Sequence, residues 1–173
     1  MKASDICFTG TRFSKSEWPV DENGKSVLEN MDASVLEALF RLRRSVPADC
    51  FMTPSPLVRA HIRNESTGSR HSLQEGSRLS DATDFYVPRR YASLVWLKAM
   101  GQDDIGGVGI YQHSFLGSNT NGLTLFHIDT RPQDQKTCWI GARENRSQPF
   151  KYISYSSPEA FFRAMSSMEG LFR

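Results

Sequence analysis

Between Val35 and Leu42 the apolar residues Val35, Leu36, Leu39, Phe40 and Leu42 recur mostly at three- and four-residue spacing. That period places them on one face of a helix. Asp32 offers an N-cap oxygen, and Pro47 ends the pattern. Arg41, Arg43 and Arg44 fall near the C-terminal end, where cations suit the helix dipole; they read as a solvated face. A second helical pattern runs from Tyr86 to Met100 through Tyr91, Leu94, Val95 and Leu97, with Pro88 in its first turn and Gly101 at its end. Ser157-Pro158-Glu159 opens a third, amphipathic helix over about 157–173, with Phe161, Phe162, Met165 and Leu171 as its apolar residues.

Strand signals lie between these helices. Cys50-Phe51-Met52-Thr53 reads as a short buried strand stopped by Pro54 and Pro56. Gly106-Gly107-Val108-Gly109-Ile110-Tyr111 predicts a strand entered through a glycine turn. Leu123 to Thr130 largely alternates in character, as a half-buried strand does. The turn signal Ser118-Asn119-Thr120-Asn121-Gly122 between them predicts an antiparallel hairpin. Cys138-Trp139-Ile140-Gly141 is a candidate third strand. Residues 1–28, with Trp18-Pro19 and Glu22-Asn23-Gly24-Lys25, read as an extended or hairpin-like lead-in. Residues 60–83 are polar and rich in Ser and Arg; a loop of that length in a compact domain is functional or disordered.

A chain of 173 residues with 39% hydrophobic and 23% charged residues is expected to form a single packed domain over 1–173. The net charge of +2 is too small to argue for nucleic acid as a partner. Cys7, Cys50 and Cys138 form no CxxC pair, which favours buried reduced thiols over a disulfide framework. Charged residues interrupt the N-terminus, so no secretory signal peptide is expected there. No run of about 18 apolar residues occurs, so no membrane span is expected.

The chemistry concentrates in His127 and Asp129. On a strand, residues two apart face the same side, so this pair points one way while Phe126 and Ile128 point into the core. Arg131 shares that side if the strand persists. His71 and Asp84 add an imidazole and a carboxylate on separate segments, and two histidines with a carboxylate suggest a facial set of zinc ligands with an open fourth position. For Asp84 the competing readings are a helix N-cap or a salt bridge, and Asp81 is a competing ligand. His61 and His113 read as surface residues, His113 closer to the site.

Ser69-x-His71, Ala82-x-Asp84-Phe85, Gly106 to Tyr111, Phe126-His127-Ile128-Asp129-Thr130-Arg131-Pro132 and Trp139 together resemble the zinc D-Ala-D-Ala carboxypeptidase family, closest to its peptidoglycan carboxypeptidases and endopeptidases of phage or prophage type. Met52 to Arg59 resembles the family's strand-then-arginine element. The resemblance covers about 30–141, the motif-bearing core. It implies an α+β fold, a small antiparallel sheet with helices packed on one side, as in D-Ala-D-Ala peptidases and the Hedgehog signalling domain. It implies zinc held by His71, Asp84 and His127. Asp129 would be the catalytic or orienting acid, and Arg59 would bind a substrate carboxylate or the oxyanion. Two positions depart from the family pattern. Twelve residues separate His71 from Asp84 where the family has about six, so Gln74 to Leu79 are expected to bulge out. Thr124 stands where many relatives carry an acid.

The expected function is a zinc-dependent peptidase cutting stem or cross-link peptides of peptidoglycan. It would be a phage product made in the host cytoplasm, released at lysis or carried on the virion, and monomeric as a free enzyme. The alternatives are a non-catalytic virion or tail protein that keeps the fold and contacts other virion proteins, and a metal-dependent amidohydrolase acting on another small peptide.

Overall fold

The computed structural model describes residues 1–20, 24–55, 61–62, 70–73, 79–111, 122–132, 136–142, 151–155 and 157–167. Arg59, His113, Pro56, residues 74–78 of the expected bulge, most of the 118–122 turn and Leu171 lie outside them, as do the side chains of His61, Phe162 and Met165.

The first helix, α1, spans Ala33–Arg44, and the Asp32 carboxylate accepts the Ser34 N–H at 2.8 Å as its N-cap. Val35, Leu36, Leu39 and Leu42 are fully buried, as their spacing predicts. Arg43 departs from the solvated reading. It is buried, and its guanidinium donates to the carbonyls of Pro47 at 3.1 Å and Ala48 at 2.9 Å, satisfying the chain just beyond the helix. The N-terminal lead-in forms short 3-10 turns at Ala3–Asp5, Lys15–Glu17 and Val27–Asn30, with an antiparallel bridge from Val20 to Ser26. Phe13 from this segment stacks on Phe40 of α1 at 5.5 Å between ring centroids.

Eight strands follow among the described residues: β1 Thr53–Pro54, β2 His61–Ile62, β3 Ser72–Leu73, β4 Ala82–Pro88, β5 Gly107–Tyr111, β6 Leu123–Asp129, β7 Thr137–Ala142 and β8 Lys151–Tyr155. Six of them form one sheet in the order β1-β4-β6-β5-β7-β8, while β2 and β3 pair separately and in parallel. The architecture is a mixed α+β fold. The expected β5–β6 hairpin is present and antiparallel. The expected all-antiparallel sheet is not, because β5 and β7 run parallel. One edge of β6 is taken by β4 and the other by β5, so β7 adds to the free edge of β5 and there runs in the same direction as that strand.

Two further boundaries move. The first strand is Thr53–Pro54 rather than Cys50–Thr53, and Pro54 lies in it; an edge strand tolerates proline because one side of its backbone needs no ladder donor. The predicted helix from Tyr86 begins only at Ala92, as α2 Ala92–Met100, after a 3-10 turn at Arg89–Tyr91. Phe85, Tyr86 and Val87 pair instead with Phe126, Leu125 and Thr124 of β6, and cross-strand pairing of aromatic and β-branched residues outweighs a weak helical period. The C-terminal helix α3 spans Pro158–Ser167.

The sheet's two faces divide the labour. Phe85, Val87, Val108, Ile110, Phe126, Ile128, Cys138 and Ile140 join α1, α2 and Phe161 in one buried apolar cluster. Phe85 stacks on Phe126 at 5.8 Å, and Trp96 of α2 stacks on Phe161 of α3 at 4.8 Å. Burying each of these large rings contributes roughly 1.5–3 kcal/mol. Residues of the opposite parity, among them Asp84, His127, Asp129, Gly107, Gly109 and Trp139, line the other face. Cys50 and Cys138 are buried free thiols as expected, whereas Cys7 is exposed.

Candidate metal centre

Asp84 sits in the middle of β4, so the N-cap reading does not hold. Its Cα partner across the ladder is His127 of β6. Directly opposed residues on antiparallel strands share a face and bring their Cβ atoms to about 4.5–5.5 Å. Asp84 Oδ1 lies 2.9 Å from His127 Nδ1. His71 comes from a turn leading into β3, outside the six-stranded sheet, and sets its Nε2 3.1 Å from His127 Nδ1 and 3.4 Å from Asp84 Oδ1. The ligand atoms of His71, Asp84 and His127 therefore form a closed triangle. A tetrahedral ion with bonds of about 2.0–2.1 Å spaces its ligand atoms by roughly 3.3 Å. The triangle matches one face of that tetrahedron. His71 and Asp84 are partly exposed and His127 is buried, so one side of the triangle is reachable from solvent.

Behind His127 stands Asp129. The imidazole Nε2 lies 3.1 Å from Asp129 Oδ2, on the side of the ring away from Nδ1. Asp129 is fully buried, and Arg131 donates to it through Nε at 2.7 Å and through its terminal nitrogen at 2.5 Å. A carboxylate on the far nitrogen of a ligand histidine selects its tautomer and fixes its ring. The strand ends at Asp129, and Arg131 turns back onto it.

Three glycines make this arrangement possible. Gly107 faces Asp129, and a Cβ there would press into the carboxylate. Gly109 faces His127, and a Cβ there would lie 2.5 Å from the Trp139 indole. The cleared space lets Trp139 lean over His127 with ring centroids 4.9 Å apart. Gly106 leaves room for the Arg131 carbonyl in the same way. Tyr111, missed by the sequence reading as a site residue, lies two positions along β5 on the same face. Burial, and then the Asp84 charge, push its phenol above the ordinary range, so the hydroxyl stays protonated. The alternation Gly107-x-Gly109-x-Tyr111 was the available signal.

The electrostatics follow from the geometry. Burial pulls the His127 imidazole down, but hydrogen bonds to Asp129 and Asp84, together with their charges, raise it to about 9. Burial pushes Asp84 up, but the His71 and His127 imidazoles outweigh it and hold the carboxyl well below its usual range. Asp129 is likewise pushed up by burial and held low by His127 and Arg131. The competing ligand Asp81 is not in the triangle; its carboxylate pairs with Arg70.

No protein-family model matches the chain, and comparison with curated proteins and with solved structures gives no match. Among the described residues, no helix is long and apolar enough to cross a membrane.

Proposed function

We propose that His71, Asp84 and His127 hold a zinc ion and that the protein is a zinc-dependent peptidase acting on stem or cross-link peptides of peptidoglycan, as a phage lysis or wall-breaching enzyme. The observation that carries the metal is the triangle itself, two nitrogens and an oxygen 2.9–3.4 Å apart with a carboxylate behind one imidazole. The peptidase reading adds the sequence resemblance to that observation. At such a site zinc lowers the pKa of a bound water to about 7 and polarises a carbonyl. Asp129 holds His127 in the tautomer that frees Nδ1 for the metal, and Arg131 keeps Asp129 ionised. The geometry favours the orienting role for Asp129 over the role of general base, because both its oxygens are committed and fully buried. Arg59 remains the candidate for the substrate carboxylate or the oxyanion on the resemblance alone.

That commitment of Asp129 favours a second reading, a virion protein that keeps the metal and the fold without turnover. Thr124, where many members of the family it resembles carry an acid, is buried on the strand face that packs against the helices. One experiment separates the two. Purified peptidoglycan is incubated with the zinc-loaded protein, with and without chelator, and the soluble products are weighed by mass spectrometry. Chelator-sensitive release of peptides supports the enzyme and identifies the bond cut. No release by a fully zinc-loaded protein favours the non-catalytic reading.

A further inference from the structure

His71 is the one triangle member that does not stand on the six-stranded sheet. Its segment must be held against the sheet for the imidazole to meet Asp84 and His127. The neighbouring residue, Arg70, does this in two ways. Its guanidinium pairs with the Asp81 carboxylate, and its carbonyl accepts the Ser80 hydroxyl at 3.3 Å. The side chains of Arg70 and Asp81 are only 21% and 13% exposed, so this is not a solvated surface pair. Ser80 and Asp81 are themselves fixed. The Ser80 N–H donates to Asn30 at 2.9 Å, the Ser80 carbonyl accepts from Asp32 at 2.8 Å, and the Asp81 carbonyl accepts from Thr130 at 3.0 Å. Ser80 is thus tied by its backbone to the N-cap of α1, while Asp81 is tied by its backbone to Thr130, just past the end of β6, and by its side chain to the segment that carries His71.

We propose that Asp81 is a positioning residue for metal binding: it latches Arg70 and thereby delivers the His71 imidazole to Asp84 and His127. The inference rests on the metal reading above and assigns Asp81 a role other than ligand. A ligand on a separately ordered segment loses backbone and side-chain freedom when it binds, and a latch removes much of that loss beforehand. Replacing groups that orient a ligand weakens metal affinity by about 10–100-fold without removing the site.

The test uses the full chain with Asp81→Asn, Arg70→Ala, the Arg70→Ala/Asp81→Asn pair and Asp84→Asn. Zinc affinity and stoichiometry are measured by competition with a chromophoric chelator. Hydrogen exchange of the amides from Arg70 to Leu73 is measured on the metal-free proteins. The latch predicts that Asp81→Asn still binds one zinc, about 10–100-fold more weakly. It also predicts faster exchange at Arg70–Leu73 with no change in β4 and β6. The double variant should bind zinc no more weakly than the worse single one, since both remove the same contact. Loss of stoichiometric zinc in Asp81→Asn with retention in Asp84→Asn would make Asp81 a ligand and overturn the proposal. Unchanged exchange and unchanged affinity in Asp81→Asn would overturn it too. A wild-type protein that binds no zinc, with exchange still raised by Asp81→Asn, sinks the metal reading and the role in metal binding, while the latch on the His71 segment stands.

Discussion

Asp84 and His127 are opposed residues on neighbouring antiparallel strands, and Asp84 Oδ1 lies 2.9 Å from His127 Nδ1. The distance is short because the ladder register sets it, not because either side chain reaches. Two of the three candidate ligands are therefore brought together by the sheet's register, and His71 closes the set.

Removal of either sheet-borne ligand should remove the metal. Wild-type protein is expected to take up one zinc per chain, and Asp84→Asn and His127→Ala are expected to take up almost none at micromolar metal. Asp84→Asn is the cleaner variant, since it keeps the side chain's size. Metal analysis after gel filtration, with circular dichroism to verify folding, makes the measurement. Full zinc occupancy in His127→Ala would be fatal to the assignment.

Asp129→Asn should weaken zinc binding by about 10–100-fold and leave its stoichiometry at one, because the carboxylate contacts the far nitrogen of His127 and is not among the proposed ligands. Stability should fall as well, since Arg131 loses its ionic partner in a half-buried setting. A competition titration alongside thermal unfolding reads both effects. If zinc affinity is untouched while peptide cleavage disappears, Asp129 is the general base after all.

Zinc affinity should rise with pH. In the metal-free protein His127 stays protonated up to about pH 9, and zinc must displace that proton from Nδ1. Below pH 9 the apparent affinity should gain about tenfold per pH unit from this group. The stability of the metal-free protein should run the other way between about pH 6.5 and about 9. The raised His127 pKa contributes stability that is fully present below about pH 6.5 and is lost as pH rises through about 9. The lowered Asp84 and Asp129 pKa values contribute stability that is present above about pH 4 and is lost as acid protonates them. Melting curves at pH 6 and pH 8, with and without zinc, should show a larger zinc-induced shift at pH 8. A shift independent of pH would mean that His127 is already neutral without metal.

Gly109→Ala should disturb the centre without touching a ligand. Its methyl group would meet the Trp139 indole at 2.5 Å, so the strand or the ring must move. Overpacking of this kind costs about 1–3 kcal/mol, and each kcal/mol lowers Tm by about 2–4 °C in a chain of this size. Tryptophan fluorescence should shift with the displaced indole. An unchanged Tm and spectrum would show that Trp139 does not lie over Gly109.

The legible parts of this chain are those where local chemistry agrees with tertiary context. α1 with its Asp32 cap, β5, β6 and β7 are present close to where periodicity predicts them. The alternation Phe126-His127-Ile128-Asp129 correctly separates a core face from a site face. Reading failed where a partner strand decided. Tyr86 to Pro88 reads as the start of a helix until β6 claims it. Arg43 reads as a solvated residue until the chain beyond α1 folds back over it. β8 has no strand signal distinct enough to read before β7 supplies its ladder.

The candidate site divides along the same line. By itself the sequence determined the face on which His127 and Asp129 stand and the glycine spacing of β5, because side-chain period and Cβ absence are local properties. The tertiary structure alone decided that Asp84 opposes His127, that Asp129 backs the imidazole while held by Arg131, and that Asp81 pairs with Arg70 rather than joining the triangle. Those relations depend on strand register and on contacts between segments far apart in the chain, and no local propensity encodes a register.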